Sequence, residues 1–508
     1  MLEITLARRL VGGLELAAHK TASTSQPIER CPLPPELVIS LHQHGGHSAV
    51  PVVDVGRRVL KGEPIGKPGP APSAAVHASS SGRIAAIEER LVPAGNCLRR
   101  SLCIVLETDG EDRPYRAERA DPWPAERAAQ LERIARGGLA GLGGAVFPTS
   151  AKLASANSCR MLIVNGAECE PYISCDDMLM RAAPEQVVSG ARRLADLTGA
   201  AECLIAIERD KPQAFQAVAA AARDAADARL KLVRVPSVYP AGGERQLVEL
   251  LSGEEVPSGQ VPSDVGFVCQ NVGTAAALHR LAEDGEPLIS RIVTVTGGGV
   301  AVPRNLEVPI GVAVGRLIEH CGGYAQGVAR LIHGGSMMGF ALPNDTLPVT
   351  KATSCVIAAG ASEVRQGGES WPCIRCGDCA SACPVRLQPQ QILGAAHGAD
   401  FDALGALGLD DCIECGCCDV VCPSHIALTE QFRRAKHALG KHRQRRALSE
   451  SADERFRRKE RRREEEAERG RAAQEALRHD VDAGEAARQA AVHAAVERAK
   501  RRREESQH

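Results

Sequence analysis

Eight cysteines in the last third of the sequence form two runs with one spacing, C-x2-C-x2-C-x3-C followed by proline. The members are Cys373, Cys376, Cys379 and Cys383 in the first run, and Cys412, Cys415, Cys418 and Cys422 in the second. This spacing binds two [4Fe–4S] clusters, because three thiolates of a run hold one cluster and the fourth holds the other. The predicted pairing is therefore Cys373, Cys376 and Cys379 with Cys422, and Cys412, Cys415 and Cys418 with Cys383. Such a site transfers single electrons.

Zinc and disulfide bonds are the alternatives for these cysteines. A zinc ribbon needs two C-x2-C pairs and leaves the other cysteines of each run without a role. Disulfides between cysteines so close in sequence would be strained. The additional Cys417 breaks no spacing, and we interpret it as non-ligating.

Composition limits the remaining classes. A chain of 508 residues with 44% hydrophobic residues can form several domains. A net charge of −1 and only 3% aromatic residues argue against nucleic-acid binding. The sequence has no apolar stretch long enough to predict a membrane span. The cysteines outside the two runs are scattered, which is typical of reduced thiols in a cytosol.

A second candidate site begins at the glycine-rich segment from Gly141 to Thr149, G-L-G-G-A-V-F-P-T. Closely spaced glycines allow backbone N–H groups to turn toward an anion, and Lys152 would add positive charge. A tight structural turn is the alternative. The segment N-G-A-E-C-E follows the predicted strand Met161–Asn165 and contributes Asn165, Glu168 and Glu170, where an α/β sheet places its ligands. A third glycine-rich segment at a strand end is Tyr239–Leu247.

The elements that would position these residues indicate a multidomain α+β and α/β protein. Short strands separated by Gly and Pro predict a barrel-sandwich at residues 30–108, whose hairpin region, A-V-H-A-S from Ala75, has no lysine to carry a prosthetic group. Alternating strands and helices predict an α/β domain at residues 125–290, and a small β-grasp-like module follows at 291–345. The cysteine runs lie in a predicted two-cluster ferredoxin domain at 365–430. Residues 431–508 have the composition of a charged helical or disordered tail.

The order of these motifs resembles one bacterial family. G-L-G-G-A-x-F-P-T, N-G-A-E-C-E-P-Y-I, Y-P-A-G-G-E-R-Q-L, Q-N-V-G-T-A and the double cysteine run are similar to the RnfC subunit of the bacterial Rnf ion-translocating electron-transport complex, from residue 30 to about 430. The middle region is also similar to the FMN-binding subunit of respiratory complex I, whose loop reads G-R-G-G-A-G-F-P-T-G. Val146 and Ser150 stand where that pattern has glycine. If Val146 requires a positive φ, its β-branched side chain is strained.

The resemblance implies a peripheral subunit on the cytoplasmic side of the cell inner membrane, in a complex that couples electron transfer between NAD(H) and ferredoxin to ion translocation. Its cofactors would be FMN and two [4Fe–4S] clusters, and its partners the membrane subunits, with ferredoxin as an indirect partner. The predicted FMN and NAD(H) residues are Gly141, Gly143, Gly144, Lys152, Asn165, Glu168 and Glu170. The alternatives are a soluble diaphorase-type NADH:acceptor subunit and a non-enzymatic electron-wire adaptor.

Overall fold

The computed structural model describes residues 3–6, 8–115, 122–156, 158–364 and 369–506. These residues form eighteen strands: β1 Glu3–Thr5, β2 Glu29–Arg30, β3 Glu36–Ser40, β4 Val50–Pro51, β5 Arg58–Val59, β6 Pro64–Lys67, β7 Val76–His77, β8 Gly82–Ala94, β9 Cys97–Thr108, β10 Met161–Gly166, β11 Glu202–Glu208, β12 Leu230–Val235, β13 Phe267–Asn271, β14 Ser290–Thr296, β15 Arg304–Pro309, β16 Val328–His333, β17 Phe340–Leu342 and β18 Cys355–Gly360.

The same described residues form thirteen α-helices: α1 Arg127–Arg136, α2 Thr149–Ala154, α3 Cys175–Ala182, α4 Pro184–Thr198, α5 Pro212–Ala225, α6 Glu244–Ser252, α7 Val272–Glu283, α8 Val314–His320, α9 Asp378–Ser381, α10 Pro389–His397, α11 Phe401–Ala406, α12 Cys417–Val420 and α13 Leu428–Glu505. Two short 3-10 helices lie at Pro262–Val265 and Leu409–Asp411.

The N-terminal barrel-sandwich consists of two antiparallel sheets with the strand orders β3-β9-β8-β5 and β4-β6-β7. Apolar residues alternate along these strands, so one face of each sheet supplies a common core that includes Leu37, Ile65 and Leu106. The long hairpin of β8 and β9 turns at Gly95, which has a φ of +62°. The predicted small barrel of short strands is confirmed.

The α/β domain contains a parallel sheet of five strands in the order β1-β12-β11-β10-β13. Its central strands are apolar on both sides because separate hydrophobic cores cover the two faces. Parallel strands end at one edge of a sheet, and Asn165 at the end of β10 is directly opposite Asn271 at the end of β13. The register thus brings together two motifs that are far apart in the sequence.

The third sheet is mixed, with the order β17-β16-β18-β14-β15-β2. Strands β14 to β17 lie essentially within the predicted module at 291–345. The parallel neighbour of β14 is β18, and β2 extends the opposite edge beside β15. The sheet therefore includes two strands from outside that range.

The two cysteine runs adopt the same backbone conformation. In each run a positive φ occurs at the third residue, at the glycine after the second cysteine, and at the second residue after the proline. The matching pairs, with their φ values, are Arg375 (57°) and Glu414 (58°), Gly377 (91°) and Gly416 (77°), and Arg386 (56°) and His425 (56°). This local repeat fits two loops that each wrap a similar object.

The C-terminal unit, Arg434–His508, is described by itself. It belongs to α13, in which every residue from 443 to 505 is exposed. Ion pairs one helical turn apart, such as Arg446 with Glu450 at 3.0 Å, add modest support along its surface. Of the two states predicted for the tail, the structure shows the charged helix.

Candidate functional site

The glycine loop, residues 141–149, is closed at its base and open at its tip. The N–H of Gly141 donates to the carbonyl of Phe147 (2.9 Å), and the N–H of Thr149 donates to that of Leu139 (3.0 Å). The tip, residues 143–145, is exposed. Gly144 has a φ of +101°, and no atom lies within 4 Å of the place where its Cβ would be. The tip therefore offers backbone and open space to a ligand, as an anion cradle requires.

The loop rests on the beginning of helix α7. The N–H of Leu142 donates to Oγ1 of Thr274 (2.9 Å). A Cβ on Gly143 would lie 3.2 Å from Cβ of Asn271, which caps α7 by accepting the N–H of Gly273 (2.7 Å). Asn271 and Thr274 belong to the motif Q-N-V-G-T-A, to which the sequence analysis gave no role. The signal that could have found them is a capping Asn directly after a buried strand.

Asn271 also connects the loop to an acidic cluster. Its Nδ2 donates to Oδ2 of Asp176 (2.6 Å). Ligand atoms of Glu168, Cys175 and Asp176 lie within 4.8 Å of one another. Burial, together with the neighbouring Glu168 carboxylate, raises the pKa of Asp176 to about 7. A proton at this wall of the site is thus held near neutrality.

Lys152 and Asn165 meet the third glycine-rich segment. Nζ of Lys152 lies 2.7 Å from Oε1 of Glu244, at the start of α6. Nδ2 of Asn165 donates to the carbonyl of Gly242 (2.9 Å), and its Oδ1 accepts the N–H of Ala167 (2.9 Å). Four segments therefore converge at the carboxyl edge of the sheet. Glu244, which sets the position of the lysine, was missed because its partner lies 92 residues away.

The two predicted acidic residues are engaged by protein groups. Oε1 of Glu168 accepts the N–H of Asp176 (2.9 Å) and lies 3.3 Å from Sγ of Cys175, at the start of α3. Oε1 of Glu170 accepts the N–H groups of Met337 (2.9 Å) and Met338 (2.8 Å). Burial raises the pKa of Glu170 above its usual range. Both carboxylates thus position neighbouring segments, and their contact with NAD(H) stays a prediction.

Val146 has a φ of +47° and a buried side chain. A β-branched residue is unfavourable in this left-handed region, so the strain expected from the sequence is present. The carbonyl of Val146 accepts the N–H of Gly45 in the barrel (2.9 Å). The departure from glycine is therefore accompanied by a contact from another domain.

Four cysteines of the predicted first cluster line one small cavity. They are Cys373, Cys376, Cys379 and Cys422. Cys373 and Cys376 are exposed, as are the neighbouring Trp371 and Ile374. This arrangement fits four thiolates around one cubane with an edge near the surface.

The second set of cysteines is more enclosed. Cys383 lies within electrostatic range of Cys415, and Cys418 lies within range of Cys412 and Cys415. These proximities fit the predicted pairing, which stays a prediction. Cys417 is buried in an apolar core next to this set.

Tyr239 joins the two candidate sites. Its phenolic O–H donates to the carbonyl of Cys415 (2.6 Å). Tyr239 shares an apolar core with Cys417 and Cys169, and the N–H of Gly242 lies 3.3 Å from Sγ of Cys169. The segment that contacts Asn165 and Lys152 therefore also packs on the second cysteine set.

The fold and these sites define the class as an electron-transfer protein with a flavin-type domain and a two-cluster iron–sulfur domain. Four family models match: the RnfC barrel sandwich hybrid domain at residues 8–111, the Nuo51 FMN-binding domain at 134–280, the SLBB domain at 292–341 and the 4Fe-4S dicluster domain at 372–427. These matches assign FMN and iron–sulfur clusters to the chain as cofactors.

Curated relatives identify the family. The chain is 43% identical over 448 residues to the RnfC subunit of the ion-translocating oxidoreductase complex of Pseudomonas aeruginosa, covering 88% of this chain and 57% of that protein. It is 40% identical to the same subunit from Klebsiella pneumoniae, covering 88% and 59%. Over the matched residues, the chain belongs to the RnfC family of ion-translocating oxidoreductase complexes. It spans somewhat more than half the length of these relatives.

A solved NAD+-reducing [NiFe]-hydrogenase in the H2-reduced state has a TM-score of 0.45 and 20% identity, covering 64% of this chain and 63% of that chain. Within the described residues, none of the helices combines the length and the apolar character needed to cross a membrane.

Proposed function

We propose that this chain is the peripheral, NAD(H)-facing subunit of an ion-translocating redox complex, on the cytoplasmic side of the cell inner membrane. It exchanges electrons with the membrane subunits, and through them with ferredoxin. The single observation that carries this proposal is the contact of Tyr239 with Cys415, because it packs the flavin-type domain directly on the cluster domain. FMN supplies the conversion between the two-electron chemistry of a nicotinamide and the one-electron chemistry of clusters.

The glycine loop is the proposed FMN site. The backbone of Gly141, Gly143 and Gly144 would surround the phosphate, with Lys152 and Asn165 beside it. The open space at Gly144 and the exposed tip support this assignment. Glu244 holds the ammonium group of Lys152 in place, so that its charge is oriented before a ligand arrives.

NAD(H) is proposed to approach near Glu168 and Glu170. Since both carboxylates accept backbone N–H groups, they contribute by fixing the start of α3 and the segment at Met337. This is a positioning role, which hydride transfer needs before any proton transfer.

The eight cysteines of the two runs are the proposed cluster ligands, in the pairing Cys373, Cys376, Cys379 with Cys422 and Cys412, Cys415, Cys418 with Cys383. The second set lies beside Tyr239, and the first set has two exposed cysteines. We therefore place the contact with another redox subunit near Cys373 and Cys376.

The test is reconstitution of the anaerobically purified chain with FMN, followed by bleaching of the flavin absorbance with NADH. Gly144→Asp adds a side chain at a φ of +101° and a negative charge at the open tip. We expect FMN affinity to fall at least about tenfold, which is 1.4 kcal/mol.

Gly199→Asp is the matched control. Gly199 also has a positive φ (+65°) and open space around its Cβ position, but it ends α4 at the opposite edge of the sheet. It should keep its FMN affinity while suffering similar backbone strain. Equal affinity loss in the two variants, or a wild-type chain that binds NADH without flavin, would contradict the proposed site.

A further inference from the structure

We infer that the N-terminal barrel is a positioning element for the glycine loop, and that Gly45 holds Val146 in its left-handed conformation. The part of this inference that concerns FMN rests on the proposed function. The mechanical part, a coupling between Gly45 and Val146, does not.

The barrel contacts the glycine loop through a rigid segment, the histidine loop (residues 42–47). Nε2 of His44 accepts the N–H of Ala74 (3.0 Å), and the N–H of His47 donates to the carbonyl of Pro72 (3.0 Å). Oγ of Ser73 donates to the carbonyl of His47 (2.9 Å). The histidine loop is therefore fixed to the neighbouring segment 72–74 before it meets anything else.

From this support, Gly45 reaches the glycine loop. Its N–H donates to the carbonyl of Val146 (2.9 Å), and a Cβ on Gly45 would make an ordinary contact of 3.5 Å with the ring of Phe147. The bond acts next to the exposed tip, where the proposed phosphate contacts lie.

The barrel also holds the segment that leads into the loop. Nζ of the buried Lys351 donates to the carbonyls of Gly138 (2.6 Å) and Ala75 (3.2 Å), and the N–H of Ala75 donates to the carbonyl of Ala135 (3.1 Å). The N–H of Lys351 donates to Oε1 of Gln43, in the histidine loop (3.2 Å). The same part of the barrel thus fixes the backbone on both sides of the tip.

Val146 explains why such support matters. A glycine would adopt a φ of +47° without cost, whereas valine favours negative φ. Without the bond from Gly45, relaxation of Val146 would rotate the adjoining peptide groups and turn the N–H groups of the tip. The barrel therefore maintains a conformation that the sequence of the loop disfavours.

The experiment is a double-substitution cycle in the full chain. Gly45→Pro removes the N–H, and Gly45→Ala keeps it, in both the wild-type and the Val146→Gly backgrounds. FMN affinity is measured by flavin fluorescence, and the bound flavin by visible circular dichroism. We expect Gly45→Pro to weaken binding at least tenfold with valine at 146 and less than threefold in the Val146→Gly background. Gly45→Ala should stay within twofold in both.

The thermal midpoint of the flavin-free chain gives an independent result. Val146→Gly should raise it, and Gly45→Pro should lower it more in the wild-type background than with Val146→Gly. Coupled midpoints in a chain that binds no FMN would refute the proposed function but support the positioning. An equal effect of Gly45→Pro in both backgrounds, or no effect in either, would overturn the inference.

Folding is controlled by iron content. If Gly45→Pro loses iron, Lys351→Met replaces it as the variant that loosens the support. It should weaken FMN binding at least threefold and change the flavin dichroism. Unchanged binding and dichroism in Lys351→Met with full iron content would equally overturn the inference.

Discussion

Lys351→Met tests the buried link between the barrel and the glycine loop through its pH dependence. Lys351 is fully buried, and burial lowers its pKa from 10.5 to about 7. Its ammonium group donates to two carbonyl groups, those of Gly138 and Ala75. Methionine has a similar length and no charge, so the substitution removes the titration and keeps most of the volume.

The expected magnitude follows from proton linkage. The lysine binds a proton up to pH 10.5 in the unfolded chain but only up to about pH 7 in the folded one, so folding releases a proton between these values. Wild-type stability therefore rises with pH in this window, by about 1.36 kcal/mol per pH unit at most. Below pH 7 both states are protonated, and the full penalty, on the order of 5 kcal/mol, is present.

Two carbonyl groups oppose this gain in the variant. Leaving each of them unpaired costs roughly 1–3 kcal/mol, so wild type and variant should have similar stability near pH 7. At pH 9 the wild type should be the more stable by about 2–3 kcal/mol. His44 and His77 face Lys351, and burial lowers the pKa of each to about 3, so neither titrates in this range.

The assay is anaerobic denaturation of wild type and variant side by side at pH 7, 8 and 9, followed by circular dichroism. Other titrating groups are common to both chains and cancel in the difference. A difference that stays constant from pH 7 to pH 9 would show that Lys351 keeps an ordinary pKa, and the reasoning from burial would be wrong.

Two further substitutions test the cluster domain. Cys379→Ala should lower the iron content from about eight to about four per chain, whereas Cys417→Ala should leave it at about eight; equal losses in both, measured by iron analysis, would contradict the ligand assignment. Tyr239→Phe removes the bond to the carbonyl of Cys415 (2.6 Å) and should lower stability by about 1 kcal/mol with full iron content, and a loss of iron would show instead that this bond is needed to hold the cluster.

The parts of the fold that follow from local patterns were predictable. The cysteine spacing fixes which side chains face one loop, and the two runs indeed share a repeated backbone. The glycine loop and Asn165 could be placed at one edge because parallel strands end together. In both cases the information lies within a few residues of the site.

The partners of the predicted residues could not be foreseen, because they are distant in sequence. Glu170 is free to meet a ligand if only its own segment is considered, yet it accepts N–H groups 167 and 168 residues away. In the same way, strands β2 and β18 complete a sheet that the predicted range 291–345 does not contain. Patterns of composition and periodicity carry no information on such pairings.

Val146 shows where the two kinds of information meet. The sequence shows that valine replaces glycine, and physical chemistry states that a positive φ is then costly. The compensating group, the N–H of Gly45, lies far earlier in the chain, in a different domain. A loop that holds its own conformation needs no barrel, but a loop with valine at this position does. The barrel and the glycine loop therefore depend on each other, and a substitution in one should be read through its effect on the other.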